Sequence, residues 1–302
     1  MYMITSVLDK SAGFYSILFF TINHYIYCKQ NNISFTLDSS DWLFKSKEGW
    51  NDYFEAIDFV GGENTTENRT VKHNELLGNY DMWEYQRTIR NHFYLYNDTI
   101  AKRIAETKRT LGLVEGEYDA IFIRRGDKLC CESSFFETDR YVNLLLEKNL
   151  QCKTIFLQTD DYNCFLDIEK YIKDRELDIQ VITLCHPDIR GMVVFDKALS
   201  VERDNCVIRD KKRNCEYFEK VFPDLKKFTP VDKMDSAEIY EHTVEMLIGV
   251  DIVLQSKFCI LDNQSNVARF ISIAHNDHMK LFDVRYPGEN IQMYWTMCPA
   301  YW

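Results

Sequence analysis

Two adjacent arginines, Arg124 and Arg125, directly follow an apolar run in the segment IFIRRGDKLCCESSFFETDRY. A guanidinium is a planar fork with five donors, so it suits a diphosphate through charge-assisted and often bidentate contacts. Because side chains alternate along a strand, we expect the two arginines to point to opposite sides. One would then meet an anionic ligand, and the other would pair with a carboxylate such as Asp127 or Asp161. The alternative is that both arginines only form ion pairs at the strand end and bind no ligand.

The elements that must position these arginines are those of a doubly wound α/β domain. Residues 120–123 are a short, uninterrupted apolar run, which is typical of a strand buried on both faces of a parallel sheet. The segments CKTIFLQTDD, IQVITLC and VDIVLQSKFCILD contain further strands, and RYVNLLLEKNL and YNCFLDIEKYIKD contain helices. Such sheets bind ligands beyond the carboxyl ends of their strands. We therefore expect the arginines, Asp160 with Asp161, and the DNQSN segment at 262–266 to converge on one crevice.

The N-terminal third of the chain also mixes helical and extended patterns. A turn at 11–13 precedes an amphipathic helix that runs to Cys28, and residues 33–38 alternate as a half-buried strand does. The polar stretch 63–72 predicts a surface loop, and residues 81–112 follow a helical pattern. This part of the chain is therefore also predicted to be α/β.

Composition and charge exclude several classes of protein. Apolar residues make up 46% and charged residues 27% of the chain, as in ordinary soluble domains. The net charge of −11 repels nucleic acid and anionic membranes. The start of the chain lacks the basic and apolar regions of a signal peptide, and its most apolar run is too short to span a bilayer. We therefore expect no nucleic-acid partner, no membrane segment and a cytoplasmic location, or a lumenal one if the chain is a truncated piece.

The cysteines and histidines do not predict a metal site. The ten cysteines form no C-x-x-C pair, and no D-x-D tripeptide occurs. Cys206 and Cys215 are the pair we would expect to join in an oxidising compartment. They lie in segment 186–235, whose charged residues show little periodicity and predict a long loop near the crevice. His275 and His278 are predicted to lie on a solvated helix surface.

Five segments together resemble one family. FIRRGDKLCCESSFFETDRY resembles the H-x-R-R-x-D-K…E motif of the α1,6-fucosyltransferases, and TIFLQTDD is similar to the strand ending in T-D-D that follows it there. The family's third motif is similar to VDIVLQSKFCILDNQSNVARF. Its N-W…G-W segment is similar to LDSSDWLFKSKEGWNDYFE. The connection from a helix to the first strand of the donor domain is also similar, in TLGLVEGEYDAIFIRRGDK. The matches run in the family's order from about residue 12 to residue 275.

The resemblance implies an α/β, GT-B-like fold with an open N-terminal α/β domain and a Rossmann-like parallel-sheet domain that binds the nucleotide. The expected divisions are 1–115 on the acceptor side, 116–280 for the donor, and a C-terminal tail, 281–302, that packs back on the N-terminal domain. The implied reaction moves fucose from GDP-fucose to a glycan hydroxyl, with inversion and α1,6-type linkage, and it needs neither a metal nor another cofactor.

The resemblance also assigns catalytic roles near the arginines. Glu132 matches the proposed general base, which removes the proton of the acceptor hydroxyl. Asp127 and Lys128 would organise the same loop, and Tyr141 matches a site tyrosine. The structural alternatives are an exposed loop carboxylate for Glu132 and a core aromatic at the start of a helix for Tyr141.

Further residues match positions that bind the donor. Arg124 would bind the pyrophosphate, with Arg125 beside it in a supporting ion pair. Asp160 and Asp161 would hold the arginines and the nucleotide loop, while Asp251 would contact guanine unless it is a surface residue. The remaining donor-site positions that the resemblance implies are Gly13, Phe122, Ser265 and Asn266.

One departure from the family's motif leaves the identity of the donor nucleotide open. The family's leading histidine, expected to contact the base, is Phe122 here, and a phenyl ring can stack on a purine but cannot hydrogen-bond to it. A peptide O-fucosyltransferase-like enzyme, or a transferase for another nucleotide sugar, is therefore the second hypothesis. A non-catalytic module that binds a sugar nucleotide or a glycan is the third.

Overall fold

The chain forms two compact units, Met1–Ala105 with Asp235–Val244 and Glu106–Met234 with Glu245–Trp302. The predicted divisions at 115 and 280 stay predictions. The computed structural model describes residues 2–61, 67–72, 75–76, 78, 80–126, 128–131, 133–189, 191–192, 230–289 and 291. Most of the predicted tail and of the 186–235 segment, including Cys206 and Cys215, lies outside the described residues.

The first unit is built on a three-stranded parallel sheet with the order β2-β1-β3. Its strands and helices are β1 (Tyr2–Val7), α1 (Phe14–Gln30), β2 (Ser34–Asp38), β3 (Glu67–Val71), α2 (Met82–Thr88), a π-helical turn (Ile89–Phe93) and α3 (Asp98–Leu111). Helix α1 returns the chain so that β2 can pair parallel to β1, as a β-helix-β connection requires.

Aromatic packing holds the core of the first unit together. The ring of Phe14, the first residue of α1, lies 5.0 Å from that of Trp42 and 5.3 Å from that of Phe44. Trp50 stacks on Phe54 at 4.4 Å. Such pairs contribute about 0.5–1.5 kcal/mol each beyond the burial of their area. The apolar run after residue 13 is a helix as predicted, but residues 21–26 are all buried, so it is enclosed on every side and is not amphipathic as expected.

Two expectations for the first unit need correction. The predicted surface loop at 63–72 contains β3, which pairs along β1 from Tyr2↔Glu67 to Ser6↔Val71. Residues 68–70 are exposed, so backbone pairing rather than side-chain burial makes this polar stretch a strand. The predicted helix at 81–112 is also interrupted, because residues 94–97 separate the π-helical turn from α3.

The second unit is built on a five-stranded parallel sheet with the order β6-β5-β4-β7-β8. Its strands and helices are β4 (Asp119–Ile123), α4 (Lys128–Cys131), α5 (Thr138–Lys148), β5 (Thr154–Thr159), α6 (Tyr162–Asp174), β6 (Gln180–Thr183), α7 (Ser236–Leu254), β7 (Cys259–Leu261), α8 (Asn266–Ala274) and β8 (Leu281–Asp283). Two helices are divided between the units, because α7 belongs to the first unit up to Val244 and α3 belongs to the second from Glu106. The four predicted strands and the two predicted helices of this region are confirmed. Strand β8 extends the sheet into residues that the sequence assigned to the tail.

The central strand β4 is buried along its whole length, as its uninterrupted apolar composition predicts. It pairs with β5 in the register Ile123↔Thr159 and with β7 in the register Phe122↔Leu261. These registers place the residues that follow the three strands side by side. No helix in the described part of the chain is long and apolar enough to cross a membrane.

The prediction for the two histidines is wrong. His275 is fully buried and His278 is 7% exposed, just beyond the end of α8. The His275 ring lies 3.3 Å from the Ser256 hydroxyl, and the His278 Nε2 atom lies 3.0 Å from the backbone oxygen of Ile273. Neutral polar partners satisfy both rings, which allows them to lie inside the core.

Candidate functional site

The candidate site lies at the carboxyl ends of β5, β4 and β7 in the second unit. The strand order reverses between β4 and β7, because β5 and β6 continue on one side of β4 while β7 and β8 lie on the other. Ligands of open α/β sheets bind at such a reversal. The structure brings the residues after these strands to one edge of the sheet, namely Arg124, Arg125, Asp160, Asp161 and the 262–266 segment.

Asp160 ties two of these strand ends together. One carboxylate oxygen accepts the backbone N–H of Arg125 at 2.7 Å, and the other accepts that of Met192 at 2.9 Å. The same carboxylate forms an ion pair with Arg124, which also donates to the Met192 carbonyl at 3.2 Å. Arg124 therefore has a carboxylate partner, Asp160, which is one of the two acids expected to hold the arginines.

The register explains why Asp160 takes this place. Ile123 lies opposite Thr159, so Arg124 and Asp160 are the next residues on adjacent strands. Asp161 instead turns away to begin α6, where its side chain accepts the N–H of Asn163 at 3.0 Å. A carboxylate at that N-cap position satisfies a helix donor that would otherwise lack a partner.

Gly126 allows the chain to pass close to the arginines. Its φ is +57°, and a Cβ atom there would lie 2.2 Å from the Met192 carbonyl oxygen. Any other residue would strain the backbone and collide with Met192. The sequence analysis did not single out Gly126, although a glycine directly after a strand-end Arg-Arg pair is a signal for a close approach.

The two arginines occupy different environments. The side chain of Arg124 is 12% exposed, whereas Arg125 is 1% exposed. Arg125 donates to the Phe136 carbonyl at 2.6 Å, and its guanidinium lies 4.4 Å from the centre of the Phe135 ring. Arg124 is therefore the more accessible of the two, and the ion pair with Asp160 belongs to it rather than to Arg125, for which a supporting ion pair was expected.

The segment after β7 is held by its own polar side chains. Ser265 caps α8 by accepting the N–H of Ala268 at 3.2 Å, and the Asn266 side chain accepts a bond from Arg269 at 3.2 Å. Gln264 accepts the N–H of Ser134 at 2.7 Å. The first two of these residues were expected in the donor site, whereas Gln264 was not singled out.

Asp262, the first residue after β7, is a buried acid that the sequence analysis placed only within the DNQSN segment. Burial and the nearby Asp283 raise its pKa to about 7, against the opposing effect of the Arg285 and Arg125 charges. The Nε atom of Arg285 lies 3.3 Å from Asp262 and donates to Asp283 at 3.0 Å. One arginine thus serves two carboxylates, which favours a proton on Asp262 near neutral pH.

The other predicted site residues have varied surroundings. Tyr141 is 1% exposed, and burial together with the charge of Asp262 raises its pKa against the opposing charge of Arg125, so it lies near the strand-end acids and arginines. Phe122 is 5% exposed within β4. Gly13 is the N-cap of α1 in the first unit. Lys128 begins α4. Asp127 and Glu132 lie outside the described residues, so their roles stay predictions.

Asp251 lies at the opposite end of the sheet. It is on α7, where its carboxylate accepts the Gln255 amide at 2.6 Å, and burial raises its pKa to about 6. Its charge acts on Tyr118, which directly precedes β4. Arg124 lies six positions beyond Tyr118, which is roughly 20 Å of extended chain. The structure does not bring Asp251 together with the arginines.

Within the described ranges, no group of three or more His, Cys, Asp or Glu side chains could hold a metal ion. The metal independence implied by the resemblance stays a prediction.

Solved structures define the class of fold. The crystal structure of NodZ α1,6-fucosyltransferase soaked with GDP-fucose matches 95% of this chain and 97% of its own, with a TM-score of 0.55 and 12% identity. The fucosyltransferase NodZ from Bradyrhizobium matches the same shares with a TM-score of 0.53 and 11% identity. No protein-family model matches the chain, and no curated protein is similar to it in sequence. The similarity is one of fold, and the predicted α/β, GT-B-like fold class is confirmed.

Proposed function

We propose that the protein is a glycosyltransferase that moves fucose from GDP-fucose to a glycan hydroxyl, with inversion, α1,6-type linkage and no metal. One observation carries the proposal: Arg124 and Arg125 lie at the carboxyl end of the central strand, beside the reversal of strand order. The fold similarity to NodZ over nearly the whole chain supports it, since that enzyme's crystals were soaked with GDP-fucose.

Arg124 is suited to the pyrophosphate of the donor. Its guanidinium already holds one anionic group, the Asp160 carboxylate, and the side chain retains 12% exposure. A bound diphosphate would share this guanidinium with Asp160 through charge-assisted bonds. Neutralising the departing diphosphate in this way would take over the task that a metal ion performs in other transferases.

The proposed reaction is a single displacement. Glu132 removes the proton of the acceptor hydroxyl, whose oxygen then forms a bond to C1 of fucose. The bond from C1 to the β-phosphate oxygen breaks, and its electron pair remains on GDP beside Arg124. Attack opposite to the departing group inverts the configuration at C1.

Replacing the base should separate binding from transfer. The Glu132→Gln variant should bind GDP as the wild type does and lose roughly 10²–10⁴-fold in transfer rate, because a positioned base contributes about that factor. Calorimetry with GDP and a transfer assay with GDP-fucose would measure the two effects. Transfer retained in Glu132→Gln would remove Glu132 from this role.

Calorimetry without added metal tests the donor class. The protein would be titrated with GDP, GDP-fucose, UDP and ADP, and selective binding of the guanine nucleotides is expected. Phe122 motivates the comparison, because it stands where the family has a histidine expected to contact the base, and a phenyl ring cannot form a hydrogen bond to guanine. Preference for another nucleotide would favour a transferase with a different donor. Binding of GDP-fucose with neither transfer nor slow hydrolysis would favour a non-catalytic module.

A further inference from the structure

The segment 133–137 joins α4 to α5 without a helix or strand of its own. Side chains from two neighbouring strand ends hold its backbone. Gln264, from the turn after β7, accepts the N–H of Ser134 at 2.7 Å. Arg125, at the end of β4, donates to the carbonyl of Phe136 at 2.6 Å. The segment is therefore attached to both strands that flank the reversal of strand order.

Both supporting side chains are inside the protein. Gln264 is 6% exposed and Arg125 is 1% exposed. Burying such groups without partners is unfavourable, so each must bond to the segment or to another polar group. Phe135 adds a second contact, because its ring packs on the Arg125 guanidinium at 4.4 Å. These contacts leave the segment few alternative positions.

We propose that Gln264 is a positioning residue for the transfer reaction. Its side-chain carbonyl holds Ser134 and, together with Arg125, sets the path of the chain two residues beyond Glu132. This inference rests on the proposed function, because it gives Gln264 a part in aiming the base at the acceptor. Gln264 itself makes no contact with the reacting atoms, so its loss should lower kcat and leave the affinity for GDP unchanged.

A set of three variants tests the proposal. Gln264→Leu removes the acceptor oxygen at nearly constant volume, while Gln264→Glu keeps an acceptor at that position. Asn149→Leu is the control at the other end of the sheet, because the buried Asn149 side chain accepts the N–H of Gln151 at 3.2 Å and also donates to Asp119 at 2.7 Å. Each variant would be measured for kcat, for KM of the donor, for GDP affinity, and for amide hydrogen exchange.

Gln264→Leu should lower kcat roughly 10–100-fold, as a misplaced reactive group does, with GDP affinity within twofold of wild type. Exchange of the Ser134 amide should become faster. Gln264→Glu should restore both properties, and Asn149→Leu should speed exchange at Gln151 but not at Ser134 and should keep kcat.

Two results would overturn the proposal. Unchanged exchange at Ser134 in Gln264→Leu would show that the bond does not hold the segment. An equal fall of kcat in Asn149→Leu would show that general loss of stability explains the effect. A wild type without transferase activity would overturn the proposed function instead, and the exchange data would still report whether Gln264 holds Ser134.

Discussion

The two ends of the five-stranded sheet both bury carboxylates, but they do so with different partners. At the amino end, Asp119 accepts the amide of Asn149 at 2.7 Å and Asp251 accepts that of Gln255 at 2.6 Å. Burial raises the pKa of both acids. At the carboxyl end, the partners of Asp160 and Asp283 include the guanidinium groups of arginines.

The difference shows which kind of buried acid indicates a binding site. A side-chain amide can donate a hydrogen bond to a carboxylate, but it carries no positive charge to balance the negative charge of a phosphate. An arginine can exchange one anion for another, because its donors fit carboxylate and phosphate alike. A raised pKa therefore occurs at both ends, but lysine charges act on Asp119 and Asp251 at the amino end, whereas the acids at the carboxyl end form ion pairs with arginines.

The largest expected effect concerns two glycines with positive φ, one near each end of the sheet. Gly126 at the carboxyl end has a φ of +57° and lies against Met192, whereas Gly112, which precedes β4, has a φ of +66° and open space around its Cβ position. Alanine at position 112 should destabilise the protein by about 1–2 kcal/mol. Alanine at position 126 should destabilise it by roughly 2–5 kcal/mol, because the collision adds to the backbone strain. Chemical denaturation would measure both, and equal losses would contradict the close approach at Gly126.

The second prediction concerns the affinity for GDP. Arg124→Ala should weaken GDP binding roughly 10–100-fold, since it removes a charge-assisted contact worth about 1.5–3 kcal/mol. Asp251→Asn should leave it nearly unchanged, because Asp251 lies at the amino end. Calorimetry at one fixed salt concentration would compare the two variants with the wild type. A comparable loss in Asp251→Asn would restore the guanine-binding role that the family resemblance implies.

The smallest effect is one of pH. The pKa of Asp262 is about 7 in the folded protein and 3.8 without burial. As the pH rises from 4 to 7, the unfolded chain releases this proton while the folded protein keeps it, so the folded state loses stability across that window. Asp262→Asn should remove this dependence.

The variant should match the wild type near pH 4 and exceed it by roughly 1–2 kcal/mol at pH 8, part of the gain being offset by the lost ion pair with Arg285. Urea denaturation at a series of pH values would measure the difference. A constant difference between pH 4 and pH 8 would show that Asp262 does not take up a proton on folding. The pKa of Asp251 is about 6 in the folded protein, so Asp251→Asn should likewise become more stable relative to the wild type as the pH rises from 4 to 6.

The amino-acid sequence by itself determined β4, β5, β6 and β7 of the second unit and the polar residues that end them, but not β8. Apolar runs such as 120–123 and 155–157, each followed at once by polar residues, are local signals for buried parallel strands. The polarity of 67–71 gave the opposite signal, because β3 is held by backbone bonds that do not depend on side-chain type.

Only the tertiary structure decided which groups meet. Arg124 pairs with Asp160 because the register of β4 with β5 sets them side by side, and Asp161 is used for a helix cap instead. Asp251 matches a family motif in the sequence, but α7 carries it to the amino end of the sheet. Such choices depend on pairing between distant segments and on the direction of each crossover, and no local pattern of residues encodes them.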